Sequence, residues 1–403
     1  SIVLKENLEY ETALQLHMQA SGLPGIGIIR GSKRLYLHNT QNAVTEIPTS
    51  TESLQNPTTS TVELSLSHIL GYQGKLSPEE LEEYYKKGYL PSDNIGKTGV
   101  EKQYEAELRG SYGKARVEVD SRGKEQATLA EEAPLPGKHL ILAVDADMQQ
   151  ALAQIMQKWM EKEGKTRGSA IVTNPQNGEV LSMVSLPTFN NNDFSGGISP
   201  EKYKKYIEDE DNPLFNRSIA GTYPSGSTIK PVVAVGALQE GIITSATTFL
   251  STGGIRVGQW FFPDWKGGGH GRTDVRYSLA DSVNTFYYII GGGYQERAGL
   301  GVELIAQYFK KFGFSKTLGI DLPGEQQGFV PSKSWKEETK GERWYIGDTY
   351  NLSIGQGDLL VTPLQIAMMT GAIANGGTLY TPKIAQQKVD PLISAEILIK
   401  HKH

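Results

Sequence analysis

The stretch EEAPLPGK at residues 131–138 divides this chain into two parts of different character. Two prolines and a glycine so close together favour an irregular linker over a helix or a strand. The 403 residues also exceed the length of one ordinary domain. We therefore predict an N-terminal domain over residues 1–135 and a second domain over residues 136–403.

The two predicted domains differ in their hydrophobic patterns. Residues 101–130 mix charges with alternating stretches such as ARVEVDS, which predict strands in an extended module with little core. After the linker, LILAVD at 140–145 predicts a buried strand, and Asp145 or Asp147 then caps a helix. The predicted apolar face of that helix consists of Met148, Leu152, Ile155 and Trp159.

Two further patterns define the class of the second domain. Residues 168–185 predict a β-hairpin, with two apolar strands around Asn177-Gly178. Thr-Pro-Leu-Gln at 362–365 is typical of a helix N-terminus with a capping box. A hairpin followed by many helices predicts an α+β fold.

Composition excludes several classes of function. The net charge of −5 argues against nucleic acid as a partner, because phosphate binding requires a basic face. The chain has no cysteine, which rules out disulfides and cysteine-ligated metals. No apolar run reaches the roughly 18 residues that a bilayer-spanning helix needs.

Pairs of the form Ser-x-x-Lys are candidates for nucleophilic catalysis. A serine hydroxyl needs a base within hydrogen-bond reach, and a lysine one helical turn later can supply it if it is neutral. The pattern occurs at Ser111/Lys114, Ser121/Lys124, Ser199/Lys202 and Ser227/Lys230. The first three pairs lie among charges and glycines, where a lysine is solvated and protonated.

The fourth pair has a different setting. Lys230 is the only charged residue between Arg217 and Glu240, and apolar neighbours favour its neutral form. Pro224 and Gly226 predict a sharp turn that leads Ser227 into a helix N-terminus, where backbone N–H groups can stabilise an oxyanion. The alternative is a capping serine with a lysine that reaches the surface.

Two other sets of residues are candidates for a functional site, and their local sequence leaves both a functional and a non-functional interpretation open. Residues 91–99 (PSDNIGKTG) contain S-D-N and K-T-G, strings found in the active sites of penicillin-recognising enzymes. They are either an active site or a coincidence. Asp264 and His270 could bind a metal with help from elsewhere, although a histidine beside three glycines is also typical of an exposed loop.

Several segments resemble the class B penicillin-binding proteins, which are monofunctional peptidoglycan D,D-transpeptidases. YPSGSTIKP around Ser227, HGRTDVRYSLADSVNTFYY at 270–288 and WYIGDTYNLSIGQGDLLVTPLQIA at 344–367 carry the resemblance in the second domain. The last segment is most similar to the penicillin-binding protein 2 branch, which works in cell elongation. LPGIGIIRGSKRLYL (23–37), HILGYQG (68–74) and NIGKTGVEKQYEAELRG (94–110) resemble that branch's N-terminal, or pedestal, domain.

The resemblance implies a fold and a set of catalytic residues. The fold is α+β, with an extended pedestal domain and a transpeptidase domain in which helices flank an antiparallel sheet. Ser227 would be the nucleophile and Lys230 its base. Ser282 would pass a proton toward the leaving amine, and Asn284 would hydrogen-bond the donor peptide's amide. No cofactor and no metal are implied.

The family's third motif, Lys-Ser/Thr-Gly, is not found after Asn284. The resemblance therefore implies that both domains are incomplete here, the pedestal at its start and the transpeptidase domain at its C-terminal strands. The strings in 91–99 precede Ser227 and fall in the pedestal, so they are predicted to be non-catalytic.

The expected function is cross-linking of peptidoglycan stem peptides through a Ser227 acyl-enzyme, with β-lactams as inhibitors. Expected partners are stem peptides and lipid-linked glycan, a polytopic glycan polymerase and elongation-complex proteins, with no nucleic acid. The expected location is the cytoplasmic (inner) membrane, held by one N-terminal helix outside this sequence, with the catalytic domain in the periplasm or extracytoplasmic space.

Two other functions remain open from the sequence. A degenerate transpeptidase fold could serve as a non-catalytic cell-wall scaffold, an interpretation supported only by the lack of the third motif after Asn284. A serine β-lactamase would share the Ser-x-x-Lys chemistry, but it would have no need of a pedestal.

Overall fold

A computed structural model describes residues 8–20, 34–37, 63–121 and 125–391, together with residues 5 and 28. Most of the pedestal-like segment 23–37 and the last residues of the chain lie outside this part. The fold is α+β, and each of the strand pairs in the described residues is antiparallel.

The N-terminal part consists of short elements and one long ribbon. The helices are α1 (Tyr10–Ala20), α2 (Ser67–Leu70), α3 (Pro78–Tyr85), α4 (Gly99–Gln103) and α5 (Glu105–Leu108), and a 3-10 turn covers Glu63–Leu66. The strands are β1 (Gln73–Lys75), which pairs with β2 (Asn94–Gly96), and β3 (Lys114–Val119), which pairs with β4 (Glu125–Glu132). The β3–β4 ribbon is the predicted extended module, and every described β3 residue is exposed.

The second part contains four strand pairs and most of the helices. Its strands are β5 (His139–Leu142), β6 (Gly168–Thr173), β7 (Val180–Leu186), β8 (Phe249–Ser251), β9 (Gly254–Val257), β10 (Trp260–Pro263), β11 (Gly271–Thr273) and β12 (Ala385–Val389). The pairs are β5–β12, β6–β7, β8–β11 and β9–β10. The β6–β7 pair confirms the predicted hairpin around Asn177-Gly178.

The helices of this part surround one large core. They are α6 (Ala146–Lys162), α7 (Pro200–Glu208), α8 (Lys230–Gln239), α9 (Val275–Ala280), α10 (Asn284–Gly292), α11 (Gly301–Lys311), α12 (Lys333–Lys340), α13 (Ile346–Ser353) and α14 (Pro363–Ala374). Two 3-10 turns cover Asn191–Asp193 and Gly226–Ile229. Apolar residues of α8, α10, α11 and α13 form the largest buried cluster. The predicted capping box at Thr362 and Gln365 begins α14.

The pedestal segment is joined to the second part by a shared core. Ile69 of α2 and Val100 of α4 are buried in one cluster with Val180 and Met183 of β7 and Leu364 of α14. Burial of such side chains contributes about 1.5–3 kcal/mol each, so this contact stabilises the two parts together.

The predicted apolar face of α6 is wrong for three of its four residues, since only Leu152 packs against the core. Met148, Ile155 and Trp159 are 37%, 56% and 52% exposed, whereas Gln149 and Ala153 are buried. Small Ala153 allows α6 to lie close to β7, and hydrogen bonds satisfy the buried Gln149 amide, so the buried stripe is offset from the most apolar residues.

The segment before α6 also differs in part from its prediction. Asp145 caps this helix, as one of the two predicted candidates, by accepting a hydrogen bond from the Met148 N–H. The predicted buried strand at 140–145 is β5, which is shorter and only half-buried.

None of the helices in the described ranges has both the length and the apolar content to cross a lipid bilayer.

Replacing Gln149 with alanine should lower the free energy of unfolding by about 2–4 kcal/mol, because buried groups lose their hydrogen-bond partner. The Gln149 amide donates to the carbonyls of Ser65 and Met183, and it accepts from the Ser182 hydroxyl and the Met183 N–H. Denaturant unfolding measures the change. The exposed Gln154→Ala on the same helix is the control and should change stability by less than about 0.5 kcal/mol. Equal effects would contradict this account of α6.

Candidate active site

The predicted nucleophile lies on a turn whose backbone is fixed by two distant segments. Tyr223 exchanges both backbone hydrogen bonds with Val361, at 2.8 and 2.9 Å. Three residues later, the Gly226 N–H donates to the Gly355 carbonyl at 2.9 Å. Ser227 then lies exposed within the 3-10 turn Gly226–Ile229, directly before α8. The turn therefore presents the serine hydroxyl to solvent on a restrained backbone.

Helix α8 begins later than the sequence indicates. The predicted helix starts at Ser227, but its first turn is 3-10, and the α-helix starts at Lys230. Pro231 lies in the first α-helical turn, as predicted, where a missing N–H leaves no acceptor unpaired. Ser227 and Lys230 thus lie on consecutive turns, with the serine exposed and the lysine only 1% exposed.

The ammonium of Lys230 makes three hydrogen bonds to one segment. It donates to the Ser282 carbonyl oxygen at 2.7 Å, to Ser282 Oγ at 3.0 Å and to Asn284 Oδ1 at 2.7 Å. The Tyr287 ring lies below it, with its centroid 5.1 Å from Nζ. The structure therefore brings Lys230, Ser282 and Asn284 into direct contact, while Ser227 is placed by its position on the preceding turn.

Ser282 has an unusual backbone that serves this contact. Its φ is +51°, a left-handed conformation that is uncommon for residues other than glycine. With this conformation the residue offers both its carbonyl oxygen and its hydroxyl to the same ammonium. The strain is thus compensated by two hydrogen bonds to a buried charge.

The environment of Lys230 lowers its proton affinity. Burial lowers the pKa of the Lys230 ammonium from 10.5 to about 8, and the negative charge of Asp264 opposes that shift. A lysine with this pKa is partly neutral near physiological pH, so it can accept a proton from a neighbouring hydroxyl.

The two candidate metal ligands lie close together but are not exposed. The side chain of His270 is only 2% exposed, so the expectation of an exposed loop histidine is wrong. The His270 Nε2 atom lies 3.7 Å from the Asp264 carboxylate, and Nδ1 lies 3.8 Å from that of Asp281. Within the described ranges no group of three or more His, Cys, Asp and Glu side chains is arranged to hold a metal ion.

The other sequence candidates lie in different surroundings. Asn94–Gly96 forms β2, Lys97 is ion-paired with Glu80, and Thr98 precedes α4. These residues of the 91–99 stretch thus belong to the N-terminal part. Ser199 caps α7 by accepting from the Lys202 N–H, while the Lys202 ammonium pairs with Asp193 at the surface.

The structural roles of two residues in the site were not anticipated from the sequence. Gly355, whose φ is +74°, contacts Gly226 so closely that a Cβ at this position would overlap the Gly226 carbonyl oxygen. In the sequence, the only indication of this role was the position of Gly355 within Ile-Gly-Gln-Gly at residues 354–357. The Asp264 carboxylate accepts hydrogen bonds from the first backbone N–H groups of α10. No local sequence pattern around Asp264 indicates that contact.

Comparisons with known proteins agree with this architecture. Residues 168–403 match the family model described as the penicillin binding protein transpeptidase domain, and residues 1–142 match the penicillin-binding protein dimerisation domain. The chain is 37% identical over 325 residues to a peptidoglycan D,D-transpeptidase MrdA of Salmonella typhimurium, covering 79% of this chain and 50% of that protein. For MrdA of Escherichia coli K12 the identity is 35% over 326 residues, covering 79% and 49%. The chain thus spans about half the length of these curated relatives.

Solved structures give the same result for the fold. A complex between penicillin-binding protein PBP2 and MreC from Helicobacter pylori matches with a TM-score of 0.76 and 33% identity, covering 97% of this chain and 69% of that one. Pseudomonas aeruginosa PBP2 in complex with WCK 5153 matches with a TM-score of 0.66 and 30% identity, covering 82% and 67%.

Replacing Gly355 with alanine should disrupt the turn that carries Ser227. We expect a loss of at least about 3 kcal/mol in the free energy of unfolding, from left-handed strain and overlap with Gly226. Hydrogen exchange at the Gly226 amide should accelerate, because its acceptor is displaced.

Gly357→Ala provides a matched control for this experiment. Gly357 also has a positive φ, of +78°, but a Cβ there would meet only the Asn351 Cβ at 3.7 Å. That variant should lose about 1–2 kcal/mol, from strain alone, and leave Gly226 exchange unchanged. Equal losses in the two variants would show that the Gly355–Gly226 contact is unimportant.

Proposed function

The chain belongs to the penicillin-binding protein transpeptidase family, and from that premise we propose that it is a peptidoglycan D,D-transpeptidase with Ser227 as its nucleophile. The observation that carries the proposal is the buried Lys230. It lies one turn after an exposed serine, has a lowered pKa and contacts both Ser282 and Asn284.

In the proposed mechanism, Ser227 Oγ attacks the carbonyl carbon between the two D-alanines of a stem peptide. Neutral Lys230 takes the hydroxyl proton, and the Ser227 N–H is one donor to the oxyanion. The C–N bond then breaks, and the departing D-alanine amine receives a proton from Lys230 through Ser282 Oγ. An acyl-enzyme ester remains on Ser227.

The second half of the reaction forms the cross-link. An amine from a neighbouring stem peptide attacks the ester carbonyl and forms the new amide bond. The C–O bond to Ser227 Oγ breaks, and a proton from the attacking amine passes through Lys230 to Ser227 Oγ. Asn284 is proposed to hydrogen-bond the donor peptide's amide while its Oδ1 also holds the lysine. A β-lactam would acylate the same serine, because its strained amide presents an equivalent carbonyl.

The proposed domains are a pedestal over residues 1–135 and a transpeptidase domain over residues 136–403. The proposed partners are an MreC-like elongation protein and a glycan polymerase. Support comes from two structural neighbours, of which one is a PBP2–MreC complex and the other is a peptidoglycan synthase complex that coordinates polymerization and crosslinking. The proposed location is the outer face of the cytoplasmic membrane, where such an enzyme meets its substrate.

Ser227→Ala should abolish acylation by a penicillin, because the other buried lysine of the described residues, Lys336, is ion-paired with Asp348 and Glu342 and is not free to act as a base. Intact-protein mass spectrometry after incubation should show one adduct on the unmodified chain and none on this variant. Peptide mapping should place the adduct on Ser227.

Ser225→Ala is the matched control, since Ser225 lies on the same turn and makes only a 3.5 Å hydrogen bond to the Gly355 carbonyl. It should be labelled like the unmodified chain. Persistent labelling of Ser227→Ala would refute the nucleophile. Turnover of the penicillin without a stable adduct would favour a β-lactamase, and no adduct on the folded unmodified chain would favour a scaffold.

A further inference from the structure

The carboxylate of Asp264 is completely enclosed and fully satisfied by hydrogen-bond donors. Its Oδ1 atom accepts from the Trp265 N–H at 2.9 Å and from the Asn284 N–H at 3.0 Å. Its Oδ2 atom accepts from the Thr285 N–H at 3.0 Å and from Ser251 Oγ at 3.2 Å. Burial alone would raise the pKa of this carboxyl, but the donors outweigh it and hold the pKa below its ordinary value. The side chain is therefore an ionised acceptor within the protein.

Asp264 caps α10 from a distant part of the chain. The first N–H groups of a helix have no intrahelical acceptor, and Val283, the residue at the N-cap position, provides no side-chain hydrogen bond. The N–H groups of Asn284 and Thr285 both donate to Asp264, which lies 20 positions before Asn284. Capping by an ionised carboxylate also stabilises the positive end of the helix dipole.

Trp265, the residue after Asp264, makes a further hydrogen bond to the segment that leads into α10. Trp265 donates its indole N–H to the Asp281 carbonyl at 2.9 Å. Asp264 and Trp265 together therefore hold three backbone groups of the segment 281–285. This segment contains every hydrogen-bond acceptor that Lys230 contacts.

We propose that Asp264 is a positioning residue for acyl transfer, which fixes Asn284 and Ser282 against Lys230 by holding the N-terminus of α10. This inference rests on the proposed function, because it assigns Asp264 to the same site. The hydrogen bonds of Asp264 do not include one to Lys230. It acts by preventing the Asn284 backbone from moving away from the lysine.

The proposal can be tested with Asp264→Asn, because asparagine has nearly the same shape as aspartate but different hydrogen-bonding groups. A carboxylate has acceptors on both oxygens, whereas an asparagine amide has one oxygen and one NH₂ donor. In Asp264→Asn the NH₂ group must face either the Asn284 N–H or the Thr285 N–H. One end of the cap is then lost and two donors oppose each other, which moves the turn that carries Asn284.

The experiment measures penicillin acylation of the unmodified chain and of Asp264→Asn on the high-pH plateau of the rate, where Lys230 is neutral in both proteins and loss of the Asp264 charge no longer changes its protonation. Stopped-flow kinetics separate the acylation rate constant k2 from the dissociation constant K of the non-covalent complex. We expect k2 to fall at least about tenfold, because the loss of a hydrogen bond to an ionised group corresponds to a factor of about ten or more in a rate constant. The dissociation constant K should change by less than about threefold. A merely structural role would not separate k2 from K.

Asp321→Asn is the matched control for loss of a carboxylate. The Asp321 carboxylate accepts hydrogen bonds from the N–H groups of Ile384 and Ala385 and from the Tyr104 hydroxyl. These hydrogen bonds do not involve Lys230 or the segment 281–285. This variant should be destabilised similarly in thermal unfolding and should keep its k2 within about twofold. A value of k2 in folded Asp264→Asn within twofold of the unmodified chain, or an equal fall in both variants, would overturn the proposal.

If Asp264→Asn does not fold, a second variant with a smaller expected effect on k2 tests the same proposal. Ser251→Ala removes one donor to Asp264 and one bond to Thr285 Oγ1, and it should lower k2 about threefold. Unchanged k2 in that folded variant would also overturn the proposal. The failure of the proposed function would look different, because the unmodified chain would then show no adduct on Ser227.

Discussion

The burial of the Lys230 ammonium is the interaction on which the rest of the site depends. A charged group with 1% exposure is stable only if polar atoms replace its lost water. Here the three acceptors come from Ser282 and Asn284, and the surrounding side chains belong to the largest apolar cluster. The same burial lowers the pKa of the lysine, so the apolar core around Lys230 determines the chemistry that its side chain can perform.

Parts of the chain far apart in sequence hold the proposed reacting groups. Backbone hydrogen bonds from Tyr223 to Val361 and from Gly226 to Gly355 fix the turn of Ser227. Asp264 fixes the start of α10 from the end of the β9–β10 hairpin. In the proposed function, a site supported in this way stays close to its reactive geometry before substrate binds, as efficient acyl transfer requires.

The local features of this fold could be predicted from the sequence, and the long-range ones could not. The isolation of Lys230 in an uncharged stretch indicated its burial, and the hairpin around Asn177-Gly178 and the capping box at Thr362 follow local rules. The buried side of α6 was missed because Gln149 is polar, and its burial depends on partners in other elements. The capping of α10 by Asp264 was missed for the same reason, since the Asn284 and Thr285 N–H groups lie 20 and 21 residues further along the chain.

The most direct test of this account is the pH dependence of the rate at which a penicillin acylates Ser227. Only the neutral lysine can accept the hydroxyl proton, and its pKa is lowered to about 8, so the neutral form increases as the pH rises through that value. The account predicts a rate constant that increases with pH and has its midpoint near pH 8. A rate that is constant between about pH 6 and 10, or a midpoint at the ordinary lysine value of 10.5, would contradict the assignment of Lys230 as the base.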